Sequence, residues 1–176
     1  MTAVVDQLAL PGQEPYRCIA ADPPWRENGG GKIKRGAQAH YHTLPTPEIL
    51  RVMLASPEWR PAPDCHLWMW ITDTYVWNGE GPWLMREMGF RAVRSWAWVK
   101  VKSDELDLED LDEDEASEDL VQTGLGQYAR GAHEHLVLGV RGHLPTPPPA
   151  LRSKSVILAR RTAKHSEKPA KAYRII

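Results

Sequence analysis

Four consecutive residues, Asp22, Pro23, Pro24 and Trp25, put a carboxylate, two prolyl carbonyls and an aromatic plane into one short stretch. Proline fixes its own φ and biases the residue before it toward extended geometry. Two in a row make a stiff loop and remove two N–H groups that would compete for nearby carbonyls. Such a set suits one chemical problem. An exocyclic amine conjugated with a ring, as in adenine, is a poor nucleophile. Two acceptors on its two hydrogens would draw it toward tetrahedral geometry and aim its lone pair at an electrophile, while a stacked plane holds the ring. A base within a duplex would have to be unstacked to reach such a site. The plain alternative is an ordinary strand-ending turn.

Other chemistry-bearing groups are weaker. His40 and His42 flank Tyr41, and His133 and His135 flank Glu134. A His-x-His pair can ligate a metal, but neither pair has a Cys or carboxylate cluster at ligand spacing beside it in the sequence, so no metal is expected. Gly29-Gly-Gly31 is followed by no Gly-Lys-Ser/Thr helix start and is not a phosphate loop; with Lys32, Lys34 and Arg35 it reads as a basic flap. Trp68 with Trp70, and Trp96 with Trp98, alternate onto single strand faces and read as core. Arg160, Arg161 and Lys164 suit either a solvated face or phosphate contacts.

The elements that must position Asp22 to Trp25 are short. Tyr16 to Ala21 is a buried-strand pattern stopped by the two prolines. Further strands are expected over His66 to Ile71, Trp96 to Val101, His135 to Val140 and Ser155 to Ala159. A helix is expected from Pro47 to Leu54 with Thr46 as its cap, and another from Thr72/Asp73 to about Met88, closed by Gly89. Pro57, Pro61 and Pro63 mark a loop. Ser166-Glu-Lys-Pro169 opens a last helix. Strands alternating with helices and loops imply an α/β domain with a mostly parallel sheet, whose ligands bind beyond the carboxyl ends of strands. Asp22 sits at such an end.

The 176 residues carry 22 Lys and Arg against 23 Asp and Glu, a formal charge of −1. That balance hides two regions. Residues 104–119 hold eleven acids and no base; the remaining 160 residues hold 22 bases and 12 acids. Like charges in such density repel and resist packing, so residues 103–123 read as a disordered acidic loop set into a single domain, 1–176. The basic remainder suits a polyanion. No apolar run is long enough to span a membrane, the N-terminus lacks the pattern of a secretory leader, and two cysteines make no disulfide framework, so a cytoplasmic protein is expected.

Taken in order, Ala21-Asp-Pro-Pro-Trp25, His40-Tyr-His-Thr-Leu44, His66-Leu-Trp-Met-Trp-Ile71, Met88-Gly-Phe90, Trp98-Val-Lys100, Gly131 through Gly142 and His165-Ser-Glu-Lys-Pro169 resemble the Asp-Pro-Pro-Trp family of adenine-N6 methyltransferases. The resemblance spans roughly Tyr16 to Tyr173. It implies a Rossmann-like fold and S-adenosylmethionine as cofactor. Carried over by position, Asp22, Pro23, Pro24 and Trp25 would be catalytic: Asp22 and the Pro23 backbone accept from the amine and Trp25 lines the base pocket. Asp22, His165, Ser166 and Lys168 would hold the cofactor. Tyr41, Lys100, Tyr128, Arg130 and Glu134 would face the substrate. The family adds a Glu-Leu-Phe-Ala-Arg-type strand and a Trp…Gly-Asn segment, absent here, around the cofactor's adenosine. Three readings of that difference stand open: a truncated gene product, a wall supplied by another chain in a homodimer or from a partner subunit, or impaired cofactor binding.

The resemblance implies methyl transfer to adenine in nucleic acid, and DNA rather than RNA by analogy, since the chain is without the extra domains that eukaryotic RNA members of the family carry. The rival is a catalytically weak or inactive nucleic-acid-binding member that needs a partner chain to complete the cofactor site. A third reading, an unrelated nucleotide-binding α/β protein, ranks below both.

Overall fold

The computed structural model describes residues 14–26, 42–103, 120–124, 128–161 and 166–176. Among the described residues, five strands and three short helices occur in the order β1 (Tyr16–Ala21), α1 (Thr46–Ala55), β2 (Pro61–Ile71), α2 (Asp73–Trp77), α3 (Glu80–Glu87), β3 (Arg91–Val101), β4 (His133–Arg141) and β5 (Val156–Arg160). They form one mixed sheet in the order β1-β2-β4-β3-β5. β1 pairs parallel with β2, and β3 with β5, whereas β4 runs antiparallel to both of its neighbours.

The mostly parallel sheet expected from the sequence is thus corrected at its centre. The apolar run Leu136 to Val140 signals a buried strand but carries no direction. β3 and β4 adjoin as antiparallel neighbours, which need no crossover helix between them. Two strands are also longer than their apolar patterns. β2 reaches back to Pro61 because its ladder with β4 begins only at Cys65, so Pro61 and Pro63 cost no hydrogen bond on that side. β3 begins at Arg91, and its first five residues are exposed, which is why they lack an apolar signature.

The single helix expected after Thr72 is two. Gly79 takes φ 81°, a left-handed conformation that ends α2, and Asn78 Oδ1 accepts the Glu80 N–H at 2.9 Å to start α3. Pro45, not Thr46, caps α1; Thr46 is buried and its hydroxyl donates to the Glu80 carboxylate instead. The expected last helix is a single 3-10 turn, Ala172–Arg174, with the Ala172 N–H on the Pro169 carbonyl at 3.0 Å.

Two cores result, one on each face. Ile49, Leu67, Met69, Ile71, Tyr75, Leu84, Met85 and Phe90 join the helices to the sheet. Trp68, Trp70, Trp98, Leu136 and Ile157 fill the other face, covered by Ala172. The tryptophan pairs are core, as their spacing predicts. At the end of β3, Val101 bridges Val121; the Lys102 N–H donates to the Leu120 carbonyl at 2.9 Å and the Gln122 N–H to the Lys100 carbonyl at 2.7 Å. The ends of the acidic stretch therefore meet, while residues 104–119 lie outside the described residues.

Candidate active site

The sheet brings four charges together on its tryptophan face. Asp22 leaves the end of β1, Lys100 lies near the end of β3, Glu134 near the start of β4, and Lys168 follows β5. Lys168 Nζ is 2.9 Å from Asp22 Oδ2 and 3.4 Å from Glu134 Oε2, and Lys100 Nζ is 2.7 Å from Glu134 Oε1. Register explains the last of these contacts: Trp98 lies opposite Glu134, so Lys100, two residues on, meets it diagonally on the same face. Both ammonium groups also sit over indoles, Lys168 at 5.5 Å from the Trp70 ring and Lys100 at 5.3 Å from the Trp98 ring.

The row alternates in sign, and burial decides its electrostatics. The Lys168 side chain is 8 % exposed and that of Asp22 is 41 %. Desolvation pushes the Asp22 carboxyl above its ordinary value even though Lys168 pulls the other way. Desolvation also works against ionised Glu134, but Lys168 and Lys100 overcome it and hold that carboxyl below the usual range. Burial would lower the Lys168 ammonium; Glu134 and Asp22 together raise it instead. Ser166 takes φ 66°, the one non-glycine in the left-handed region among the described residues, and its carbonyl accepts the third Lys168 hydrogen at 3.3 Å. Such a backbone costs on the order of 1–3 kcal/mol and persists only where surroundings impose it.

The prolyl carbonyls are not left without donors, as their sequence suggests. The Pro23 carbonyl accepts the Trp25 N–H at 2.8 Å and the Pro24 carbonyl accepts the Leu44 N–H at 2.9 Å. The first is a tight turn centred on Pro24, whose fixed φ suits it. Each carbonyl keeps a second lone pair. Trp25 is only 4 % exposed, donates Nε1–H to the Trp70 carbonyl at 2.8 Å, and stacks at 4.7 Å on Tyr75. It anchors the loop into the helix-side core rather than presenting an open face.

Asp22, Ser166, Lys168, Glu134 and Lys100 thus come together. Tyr128 stands fully exposed, and Arg130 turns back to the Gly124 carbonyl at 3.0 Å. Tyr41 and His165 lie outside the described residues. Trp70, the indole beneath Lys168, reads only as core in the sequence pattern.

A second grouping gives the β4 histidines a carboxylate neighbour. β2 pairs with β4 so that Ile71 lies opposite His135. Asp73, two residues on, therefore reaches the histidine pair: its Oδ1 is 3.5 Å from His133 Nε2 and 3.1 Å from His135 Nε2. The carboxylate missing from the local sequence comes from the neighbouring strand's end.

The sequence matches the MT-A70 family over residues 16–176. No curated protein matches the chain.

Proposed function

Because the chain belongs to the MT-A70 family of adenine-N6 methyltransferases, which depend on S-adenosylmethionine, we propose that it methylates the N6 amine of adenine in nucleic acid, and DNA in preference to RNA. The observation that carries this reading is the 2.9 Å contact between Lys168 and Asp22, which joins two blocks from opposite ends of the chain. The donor set fits the cofactor's methionine end. That end bears an ammonium, a carboxylate and a sulfonium, and Asp22, Lys168 and Glu134 offer the opposite sign to each. Asp22, Ser166 and Lys168 would hold it. When bound, the cofactor supplies an electrophilic methyl group. We read the mixed sheet as a variant of the Rossmann-like methyltransferase fold.

Within this reading Asp22 accepts one hydrogen of the target amine, and the second lone pair of the Pro23 carbonyl accepts the other. Trp25 fixes the loop so that both acceptors keep their aim. Methyl transfer would form the N–C bond as the S–CH3 bond breaks, with the sulfur leaving as a neutral thioether, and would leave the nitrogen cationic; its proton passes to Asp22, whose raised carboxyl is a better acceptor than an ordinary aspartate. Lys100 holds Glu134 beside the site, and the basic surface grips phosphates. The test is label transfer from S-adenosylmethionine to adenine-containing DNA and RNA by the full chain. Asp22→Ala should lower transfer by at least about a hundredfold. Absence of both transfer and cofactor binding by calorimetry in the wild-type chain would remove the proposal.

One observation favours the second reading, a nucleic-acid-binding member completed by a partner. The three hydrogens of Lys168 already have acceptors in Asp22, Glu134 and the Ser166 carbonyl. Salt-sensitive DNA binding without methyl transfer would select it.

A further inference from the structure

The histidine pair and Asp73 lie across β4 from the lysine row. Neighbouring residues on a strand point to opposite faces, so Glu134 meets the lysines while His133 and His135 face α2. Three potential ligand atoms, Asp73 Oδ1, His133 Nε2 and His135 Nε2, all lie within 4.8 Å of one another. A tetrahedral zinc ion with nitrogen and oxygen donors at about 2.0–2.1 Å sets adjacent donors about 3.3 Å apart. The two separations to Asp73, 3.5 Å and 3.1 Å, bracket that edge.

The surroundings orient these ligands as metal sites require. Ser95 Oγ is 3.2 Å from His135 Nδ1, which fixes the ring and directs Nε2 toward the carboxylate. Trp77 donates Nε1–H to Asp73 Oδ1 at 3.0 Å, holding the carboxylate in place. The outer side is open: Asp73 is 55 % and His133 41 % exposed, so water can complete the coordination.

We propose that Asp73, His133 and His135 form a binding site for a divalent transition-metal ion of the zinc class. The ligands come from the start of α2 and the start of β4, so the ion would clasp the strand that carries Glu134 to the helix side of the sheet.

The test uses the full metal-free chain with Zn²⁺ alone, in competition with a chromophoric chelator, and Co²⁺ alone, read by visible absorption. One ion per chain is expected, with a tetrahedral cobalt spectrum. His133→Ala, His135→Ala and the shape-preserving Asp73→Asn should each weaken binding by at least about tenfold. His143→Ala, just past the far end of β4, should leave it unchanged. If a variant fails to fold, His133→Ala and Asp73→Asn, both on exposed side chains, decide. No bound ion, or equal affinity in wild type and these variants, overturns the proposal.

Discussion

The two clusters either side of β4 are built from adjacent residues and behave oppositely. Glu134 stands between two lysines over tryptophan rings, largely removed from water, in a row whose charges cancel. His133 and His135 stand against one exposed aspartate. The difference teaches that the strand's alternation, not the local sequence, assigns chemistry here. His-Glu-His is one tripeptide, yet it joins two clusters because one side chain points to the tryptophan core and two point to the helices.

The sharpest way to break the comparison is to remove Lys168. Lys168→Met leaves Asp22 and Glu134 without their shared cation and should cost about 2 kcal/mol in urea unfolding, below the penalty for a fully buried pair because Asp22 reaches solvent. His133→Ala on the other side should cost less than about 0.5 kcal/mol. Equal losses would mean that the two clusters do not differ in burial energetics.

Acid should separate the two carboxylates of the lysine row. Glu134 is held below its ordinary value, so its contribution is present above the unfolded glutamate value and is lost as pH falls through its folded one. Asp22 is shifted upward, so acidification relieves a cost and works in the opposite direction. Glu134→Gln should therefore flatten the fall in urea midpoint between about pH 5 and pH 3. An unchanged fall would place the acid sensitivity elsewhere.

The smallest effect is expected from replacing residues 104–119 with a short glycine-rich turn. Stability should change by no more than about 0.5 kcal/mol, since Val101 and Val121 already join the ends. Non-specific DNA affinity should rise at low salt and converge with wild type at high salt. Loss of cooperative unfolding would show that the stretch is part of the core.

The sequence is a good guide where chemistry and local pattern coincide. Tyr16 to Ala21 is a strand stopped by Pro23, although it lies at the sheet edge with four of its six residues exposed rather than buried as its apolar pattern suggests, and the block around Lys168 is tied to Asp22 by resemblance and then by a contact in the structure. It is a poor guide where strand order decides. Nothing near His133 announces Asp73; that contact depends on β4 lying beside β2 with Ile71 opposite His135. The exposed half of β3 had no apolar alternation to reveal it, and the direction of β4 left no mark in its composition. Trp25 was legible as important but not as buried, because an aromatic after two prolines suits a pocket wall and a core anchor equally.

The bridge between Val101 and Val121 has a consequence for how this protein can vary. Once two points of a chain are pinned together, closing a longer flexible connection between them costs entropy only logarithmically, about 0.6 kcal/mol per doubling. The span between them can lengthen or shorten, and its acidity with it, while the sheet pays almost nothing. Surface charge becomes an adjustable quantity, set independently of the residues that hold Asp22 and Lys168 together.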